Sequence, residues 1–283
     1  MDLKETKTKL EGGLRTKGLS HKKSWPDRPL ISIITVVRNG QKYLEETIKS
    51  VINQTYDNVE YIIIDGGSTD GTLDIIKKYE EYIDYWVSEQ DRGISDAMNK
   101  GVRHSTGKLI LHLHSDDIFC KNESLCLLYN ELKSSDKKWV TGFYKYINSR
   151  TVEIKIDKFR KYTYFDMVLR NIIRHQTTLL PRNIFEEVQF DEKYKYAMDY
   201  MFFLNAWRIL GDPHFVNEHI TCFRLDGNNL SSNFYASISD EMRARIDFRL
   251  INGEFYKIPF DYIIYTLRLL KIYFYHSRKY SDK

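Results

Sequence analysis

Two apolar runs in this chain end on acid. One is Leu109-Ile110-Leu111-His112-Leu113-His114-Ser115-Asp116-Asp117, and the other is Tyr61-Ile62-Ile63-Ile64-Asp65-Gly66-Gly67. A short, unbroken apolar run is the mark of a strand buried on both faces, as in a parallel sheet. Parallel strands need helical crossovers, and their ligands sit beyond the carboxyl ends of the strands. Adjacent carboxylates at a strand end repel each other unless a positive charge lies beside them. A hard divalent cation, Mg²⁺ or Mn²⁺, suits carboxylate oxygens and leaves positions open for phosphates. The two acidic strand ends therefore predict a nucleotide-diphosphate site, with its cation, at one edge of a parallel sheet.

The rest of the N-terminal half has the matching rhythm. Residues 30–37 are apolar and β-branched, and Arg38-Asn39-Gly40 breaks them. Tyr43, Leu44, Thr47, Ile48, Val51 and Ile52 recur at helical spacing. Residues 59–64 read as a strand, 72–82 as a helix, 85–87 as a strand, 94–102 as a helix and 109–113 as a strand. This alternation predicts a doubly wound α/β sheet with right-handed crossovers. Beyond Asp117 the rhythm changes. Residues 125–132 and 199–210 read as helices, 139–147 as extended, and 151–180 fit no single pattern. A polar loop at 226–235 marks a boundary, followed by helices at 239–250 and 261–275. On the last of these, Ile263, Leu267, Leu270 and Phe274 share one face, while Arg268, Lys271 and Arg278 share another. The expected organisation is a basic, poorly ordered arm at 1–28, a catalytic domain at 29–225 and a helical extension at 226–283.

Charge narrows the function. The net charge is +4 over 283 residues, but the ends carry it. Residues 1–28 hold eight Lys/Arg against four Asp/Glu, and residues 255–283 hold six against two. Such ends are solvated tails or are drawn to an anionic membrane surface. No compact basic stripe argues for nucleic acid. Three cysteines without paired spacing argue against a disulfide scaffold or structural zinc. No apolar leader and no charge-free stretch of membrane-spanning length is visible. These features predict a cytoplasmic chain, peripheral on the inner face of the cell membrane if it meets lipid.

Five pieces, in order, carry a resemblance. They are Ser32-Ile33-Ile34-Thr35-Val36-Val37-Arg38-Asn39, Ser50-Val51-Ile52-Asn53-Gln54-Thr55-Tyr56, Ile64-Asp65-Gly66-Gly67-Ser68-Thr69-Asp70-Gly71-Thr72, Ser88 through Gly101, and Ser115-Asp116-Asp117. Together they resemble the family-2 inverting glycosyltransferases of the GT-A fold, of the bacterial surface-polysaccharide type. The likeness continues more loosely through Arg174-His175-Gln176-Thr177 and Phe190-Asp191-Glu192-Lys193-Tyr194 to Ala197-Met198-Asp199-Tyr200, and fades after about residue 235. It implies a Rossmann-like, mixed and mainly parallel sheet flanked by helices, with a helical C-terminal extension.

The resemblance also assigns roles. Thr35, Val37 and Asn39 would wrap the nucleoside with their loop, and Asp65 would accept from uracil N3–H. Arg92 would meet a phosphate or sugar hydroxyl, and Asp96 the ribose or sugar. Asp117 would hold Mn²⁺ or Mg²⁺, and Asp116 the ribose or the ion's water shell. Asp199, opening a helix, would be the catalytic base, with Asp191 as second candidate. His175 would lie on the acceptor side, and Arg224 would hold the diphosphate as a polar loop closes. The family's usual acidic pair is Met198-Asp199 here, which leaves one carboxylate. The QxxRW motif of processive members is absent, which favours single-sugar transfer. The expected partners are a nucleotide-sugar donor, probed first as a UDP-sugar, and a glycan or lipid-linked acceptor, with an anionic membrane and a second copy of the chain left open.

Three other readings compete. His112-Leu113-His114-Ser115-Asp116-Asp117 also reads as HxHxDD, a zinc hydrolase pattern, with both imidazoles on one strand face. The βα alternation before it is wrong for that fold, so His112 and His114 are expected to pack in or beside the sheet. A sugar-nucleotide pyrophosphorylase wants a Gly-rich basic loop after the first strand, which Val36 to Gly40 does not supply. A non-catalytic nucleotide-sugar-binding protein would have no need to retain Asp65, Asp116, Asp117 and Asp199 together.

Overall fold

The computed structural model describes residues 9–20, 22–226 and 233–281, with side chains through 272 except at 234. Most of the predicted loop at 226–235, and the side chains of Tyr273, Phe274, Tyr275, Arg278 and Lys279, lie outside the described residues. Among the described residues, ten strands form one sheet: β1 (Leu10–Gly12), β2 (Ile31–Val37), β3 (Val59–Asp65), β4 (Tyr85–Ser88), β5 (Leu109–His112), β6 (Ile118–Phe119), β7 (Val140–Ile147), β8 (Glu153–Ile156), β9 (Thr178–Pro181) and β10 (His214–Arg224). Their order is β1-β4-β3-β2-β5-β9-β7-β10-β6, with β8 paired to β7.

The doubly wound half follows the sequence. Strands β4, β3, β2 and β5 run parallel. Their crossovers include α1 (Leu44–Ile52), α2 (Thr72–Lys78) and α3 (Ile94–His104). Because strand side chains alternate, β2 feeds two cores. Ile34 and Val36 face one layer with Trp139, Phe202 and Trp207. Ile31, Ile33 and Val37 face the other with Leu44, Ile48 and Leu125. The helix read at 72–82 is shorter: α2 stops at Lys78 and a 3-10 turn occupies Glu80–Tyr82.

The C-terminal half adds α4 (Ser124–Ser134), α5 (Tyr164–Leu169), α6 (Ile184–Glu187), α7 (Met198–Leu210), α8 (Phe234–Ile251) and α9 (Ile258–Ser281). Strand β9 runs antiparallel to both β5 and β7, and β7 pairs parallel with β10. These pairings weld the second half onto the first, so the cleft lies over one continuous sheet.

One expectation about the ends is corrected, and one left open is answered. The described part of the N-terminal arm is ordered: β1 pairs antiparallel with β4, and the Leu14 and Arg15 N–H groups donate to the Ile83 and Asp84 carbonyls. The reason is local. Strand β4 has an edge to cover, and buried Glu60 and Asp84 need cations, which Arg15 and Lys22 supply. The last helix is turned the other way round from a simple amphipathic packing. Part of its charged face points inward: Asp261 is fully buried against Arg249 at 3.0 Å, and Arg268 meets Glu241 of α8 at 2.6 Å, while Lys271 is exposed. The apolar seam points outward, with Ile263, Leu267 and Leu270 exposed. Helix α8 anchors this extension through Ala244 and Phe248 in the core and through Arg245, which donates to the Tyr200 hydroxyl and the Leu169 carbonyl.

Candidate functional site

A cleft of about 1120 Å³ opens over the carboxyl ends of β2 and β5. Val36, Val37, Arg38 and Asn39 form one wall. His114, Ser115 and Asp116 lie in the middle, with His175, Gln176 and Asp199 facing them. Tyr144, Tyr146, Lys155, Arg174 and Phe223 form the far wall. The backbone at Asn39 is left-handed, with φ 54, which lets its side-chain oxygen accept from the Thr69 N–H at 2.9 Å. A Cβ at Gly66 would fall 2.2 Å from the Asp91 carboxylate, so only glycine lets that acid approach the loop after β3.

The acidic strand end folds into a compact cluster. Asp117 is fully buried; one oxygen accepts from the Arg224 N–H at 3.0 Å and the other from the Gln176 amide at 3.0 Å. Asp116 is half-buried and lines the cleft. Among the described residues, His114, Asp116 and Asp117 form the group whose ligand atoms all lie within 4.8 Å of one another. Burial raises Asp116 above the ordinary carboxylate range, and burial together with Asp116 raises Asp117 well above it. Burial, then the neighbouring His175 and His112, hold His114 well below the ordinary imidazole range. Two carboxylates of raised pKa beside a neutral imidazole make a donor set that fits a divalent cation. Each Asp117 oxygen still has a lone pair to give.

His175 connects this cluster to the second acid. Its Nε2 lies 3.0 Å from His114 Nε2, and its Nδ1 lies 3.8 Å from Asp199. Asp199 opens α7 and accepts from the Asn171 amide at 2.8 Å. Burial alone would raise Asp199, but His175, Asn171 and Arg174 outweigh it and leave the group below the ordinary carboxylate range.

Other sequence candidates lie elsewhere. Thr35 is fully buried in mid-strand, its hydroxyl 3.2 Å from that of Tyr61. Asp65 is fully buried and occupied by the Ser68 N–H and hydroxyl and by the Ser88 hydroxyl at 2.6 Å. Arg92 reaches away to Glu192, at 2.7 Å and 2.8 Å, and to Asp96 at 3.2 Å. Asp96 also accepts from the Arg92 N–H, so both knit the start of α3 to the 190–193 loop. Asp191 is exposed in that loop and accepts from the Lys193 N–H. Arg224 is not in a loop. It ends β10, fully buried, and donates to Glu46, to the Asp116 and Asn148 carbonyls and to the Thr151 hydroxyl. The two histidines of HxHxDD part company. His112 turns into the core against Phe185 and Phe190, while His114 enters the cleft, so they do not share a ligand and the hydrolase reading fails. Asn171, Tyr144, Tyr146 and Lys155 carry no signal in the sequence beyond the i, i+2 spacing of the two tyrosines, and Gln176 enters there only beside His175.

The model for glycosyl transferase family 2 matches residues 32–192. An uncharacterized glycosyltransferase of Haemophilus influenzae is 30% identical over 270 residues, covering 87% of this chain and 80% of its own length. The chain belongs to glycosyltransferase family 2. A proposed teichuronic acid biosynthesis glycosyltransferase of Bacillus subtilis, TuaG, is 30% identical over 213 residues, covering 73% of this chain and 83% of its own. Among solved structures, Staphylococcus aureus TarS in complex with UDP-GlcNAc superposes with a TM-score of 0.65 at 19% identity, covering 79% of this chain and 66% of that fragment. A mannosyltransferase of Pyrobaculum calidifontis, in complex with GDP-Man and Mn²⁺, gives 0.61 at 15%, covering 84% and 74%. These likenesses establish the GT-A fold that the five motifs implied. This glycosyltransferase has, among its described residues, no helix long and apolar enough to cross a membrane.

Proposed function

We propose that this family-2 enzyme moves a single sugar, with inversion, from a nucleoside-diphosphate sugar to a hydroxyl of a lipid-linked glycan or glycolipid. The observation that carries the reading is one cleft in which His114 and Asp116, with Asp117 buried beside them, stand opposite Asp199, with His175 between. Asp199 is the base. It is ionised at neutral pH, so it takes the proton from the acceptor hydroxyl as the oxygen attacks the anomeric carbon. Attack comes from the face opposite the diphosphate, which leaves with the bonding pair, and the configuration inverts. His114, Asp116 and Asp117 would hold a divalent cation, which would supply charge stabilisation for the departing diphosphate. Val37 and Asn39 line the nucleoside wall, while Thr35 and Asp65 support its loops from behind.

Mn²⁺ or Mg²⁺ is the expected ion and UDP the expected carrier. TarS was solved with UDP-GlcNAc and the Pyrobaculum enzyme with GDP-Man and Mn²⁺, so both carriers belong in the test. The outward apolar seam of α9 supports peripheral attachment at the cytoplasmic face of a membrane, where a lipid-linked acceptor of surface-polysaccharide synthesis is found. A thermal-shift screen of nucleotide sugars with and without Mn²⁺ tests the core of the proposal, because a ligand of the native state raises the melting temperature. Stabilisation by one or more donors that depends on the metal is the expected result. No shift with any donor and metal would sink it.

A further inference from the structure

The far wall of the cleft is built from one row of the sheet. In the parallel register of β7 and β10, Phe223 lies opposite Tyr146; in the antiparallel register of β7 and β8, Lys155 lies opposite the same residue. Lys155, Tyr146 and Phe223 are therefore cross-strand neighbours on one face. Tyr144, two residues before Tyr146, shares that face. Its ring centroid is 4.7 Å from Tyr146 and 5.4 Å from Phe223, and the two tyrosine hydroxyls are 2.9 Å apart. The result is a tiled aromatic surface that opens into the cleft.

Two cations stand on this surface. The Lys155 ammonium lies 5.0 Å from the Tyr146 ring centroid, and the Arg174 guanidinium lies 5.2 Å from that of Tyr144. Among the described residues, neither has a carboxylate within ion-pair distance. The Arg174 Nε is buried and has no hydrogen-bond partner. The guanidinium is half-buried with Asp157 and Asp199 in its field, which leaves the Nε–H as a donor that a ligand can complete. Its neighbour Arg224, by contrast, spends its charge on Glu46 and on backbone carbonyls.

Position decides which substrate the wall serves. The nucleoside wall is β2, whereas β7, β8 and β10 lie beyond β5 and β9 in the strand order. Asp199, with His114 and Asp116, stands between the two walls. A donor whose diphosphate meets the metal cluster leaves the aromatic wall to the acceptor. A pyranose ring offers an apolar C–H face that aromatic rings cover well, and the paired cations call for negative charge beside that ring.

We propose that Tyr144, Tyr146 and Phe223, with Lys155 and Arg174, form an acceptor subsite selective for an anionic saccharide, one that carries a carboxylate or a phosphate on the sugar next to the reacting hydroxyl. The inference rests on the transferase reading of the cleft and names its acceptor class. Three probes test it by calorimetric titration into the full chain loaded with UDP and Mn²⁺: a uronic acid trisaccharide, its neutral methyl ester, and a neutral trisaccharide bearing one glycerol phosphate. At least one charged probe is expected to bind ten times or more tighter than the ester, and the tighter of the two identifies the anion as carboxylate or phosphate. Lys155→Ala should erase most of that preference, and Tyr146→Leu should weaken all three probes, each with UDP–Mn²⁺ affinity unchanged. Equal binding of ester and charged probes, or no binding of any, overturns the subsite. So does an Arg174→Gln or Lys155→Ala variant that loses UDP affinity instead, because the cations would then serve the donor. Failure of wild type to bind UDP–Mn²⁺ at all removes the transferase reading itself, and this inference with it.

Discussion

Replacing Arg224 with Met separates two roles that sequence cannot separate. As a diphosphate clamp, Arg224 would contribute to donor affinity and little to stability. As a strut, it would do the reverse. The structure favours the strut. The guanidinium is fully buried, lies 4.3 Å from the Tyr43 ring centroid, donates to Glu46 at 2.7 Å and to Asp116 O at 2.9 Å, and bonds Asn148 and Thr151. Met keeps much of the volume and removes every donor. Breaking a buried, hydrogen-bonded ion pair costs about 3–5 kcal/mol. The Glu46 side chain is 45% exposed and stays hydrated, so the low end applies. Two carbonyls lose their partner, at about 1–3 kcal/mol each where no water reaches them. Taking the low end of each, the expected loss is about 5 kcal/mol. At about 2–4 °C per kcal/mol for a chain near this size, the melting temperature falls by about 10–20 °C. Differential scanning calorimetry of the apo-protein reads this directly. Donor affinity, measured well below the new melting point, should drop only as far as the Asp116–Asp117 turn loosens. An unchanged melting temperature together with lost UDP binding would refute the strut and return Arg224 to the phosphates.

Four further outcomes are expected. Asp116→Asn and Asp117→Asn should each abolish metal-dependent UDP binding in calorimetric titration, and EDTA should mimic them in wild type. Asp199→Asn should retain UDP affinity while turnover falls roughly 10²–10⁴-fold, as for a lost general base, in a steady-state transfer assay. Asp199 is depressed in the folded state, so it must be protonated below the ordinary carboxylate range before activity falls. The acid limb of kcat therefore lies low, and Asn171→Ala, which deletes a hydrogen bond to the ionised form, should move it to higher pH. Ile263→Glu with Leu267→Glu should leave the melting temperature within a few degrees, because both side chains are exposed, yet abolish flotation with anionic liposomes at low salt.

What was legible in the sequence was what local pattern encodes. Unbroken apolar runs located β2, β3 and β5, and the acid at the end of β5 marked the cluster that now includes His114. The five motifs located the family. What escaped depended on partners far along the chain. Nothing near Asp117 announces that Gln176 will donate to it, or that the Arg224 backbone will. Arg92 reads as a phosphate ligand until Glu192 arrives from the loop before α7. Cys120 and Cys222 look unrelated by spacing, yet the β6–β10 pairing brings their sulfurs to 2.6 Å. The facing of α9 stayed open between packing and exposure for the same reason: Asp261 and Arg268 are claimed by Glu241, Arg245 and Arg249 of α8, a choice that no single-helix pattern contains.

The cleft holds two kinds of acid, and their environments push them apart. Burial and mutual repulsion raise Asp116 and Asp117, so without a cation these groups resist ionisation. Hydrogen bonds and nearby positive charge keep Asp199 ionised although it is just as enclosed. Carboxylates separated in this way divide the labour of a reaction. A divalent cation beside the raised pair would favour its ionised form, which would tie the metal site to the ligand that brings negative charge to it. The lowered acid is ready as a base before any ligand binds. His175 touches His114 and lies 3.8 Å from Asp199, so on the proposed reading one ring stands between the base and the metal cluster. That spacing would set the base relative to the leaving group, and an in-line displacement with inversion requires such a geometry.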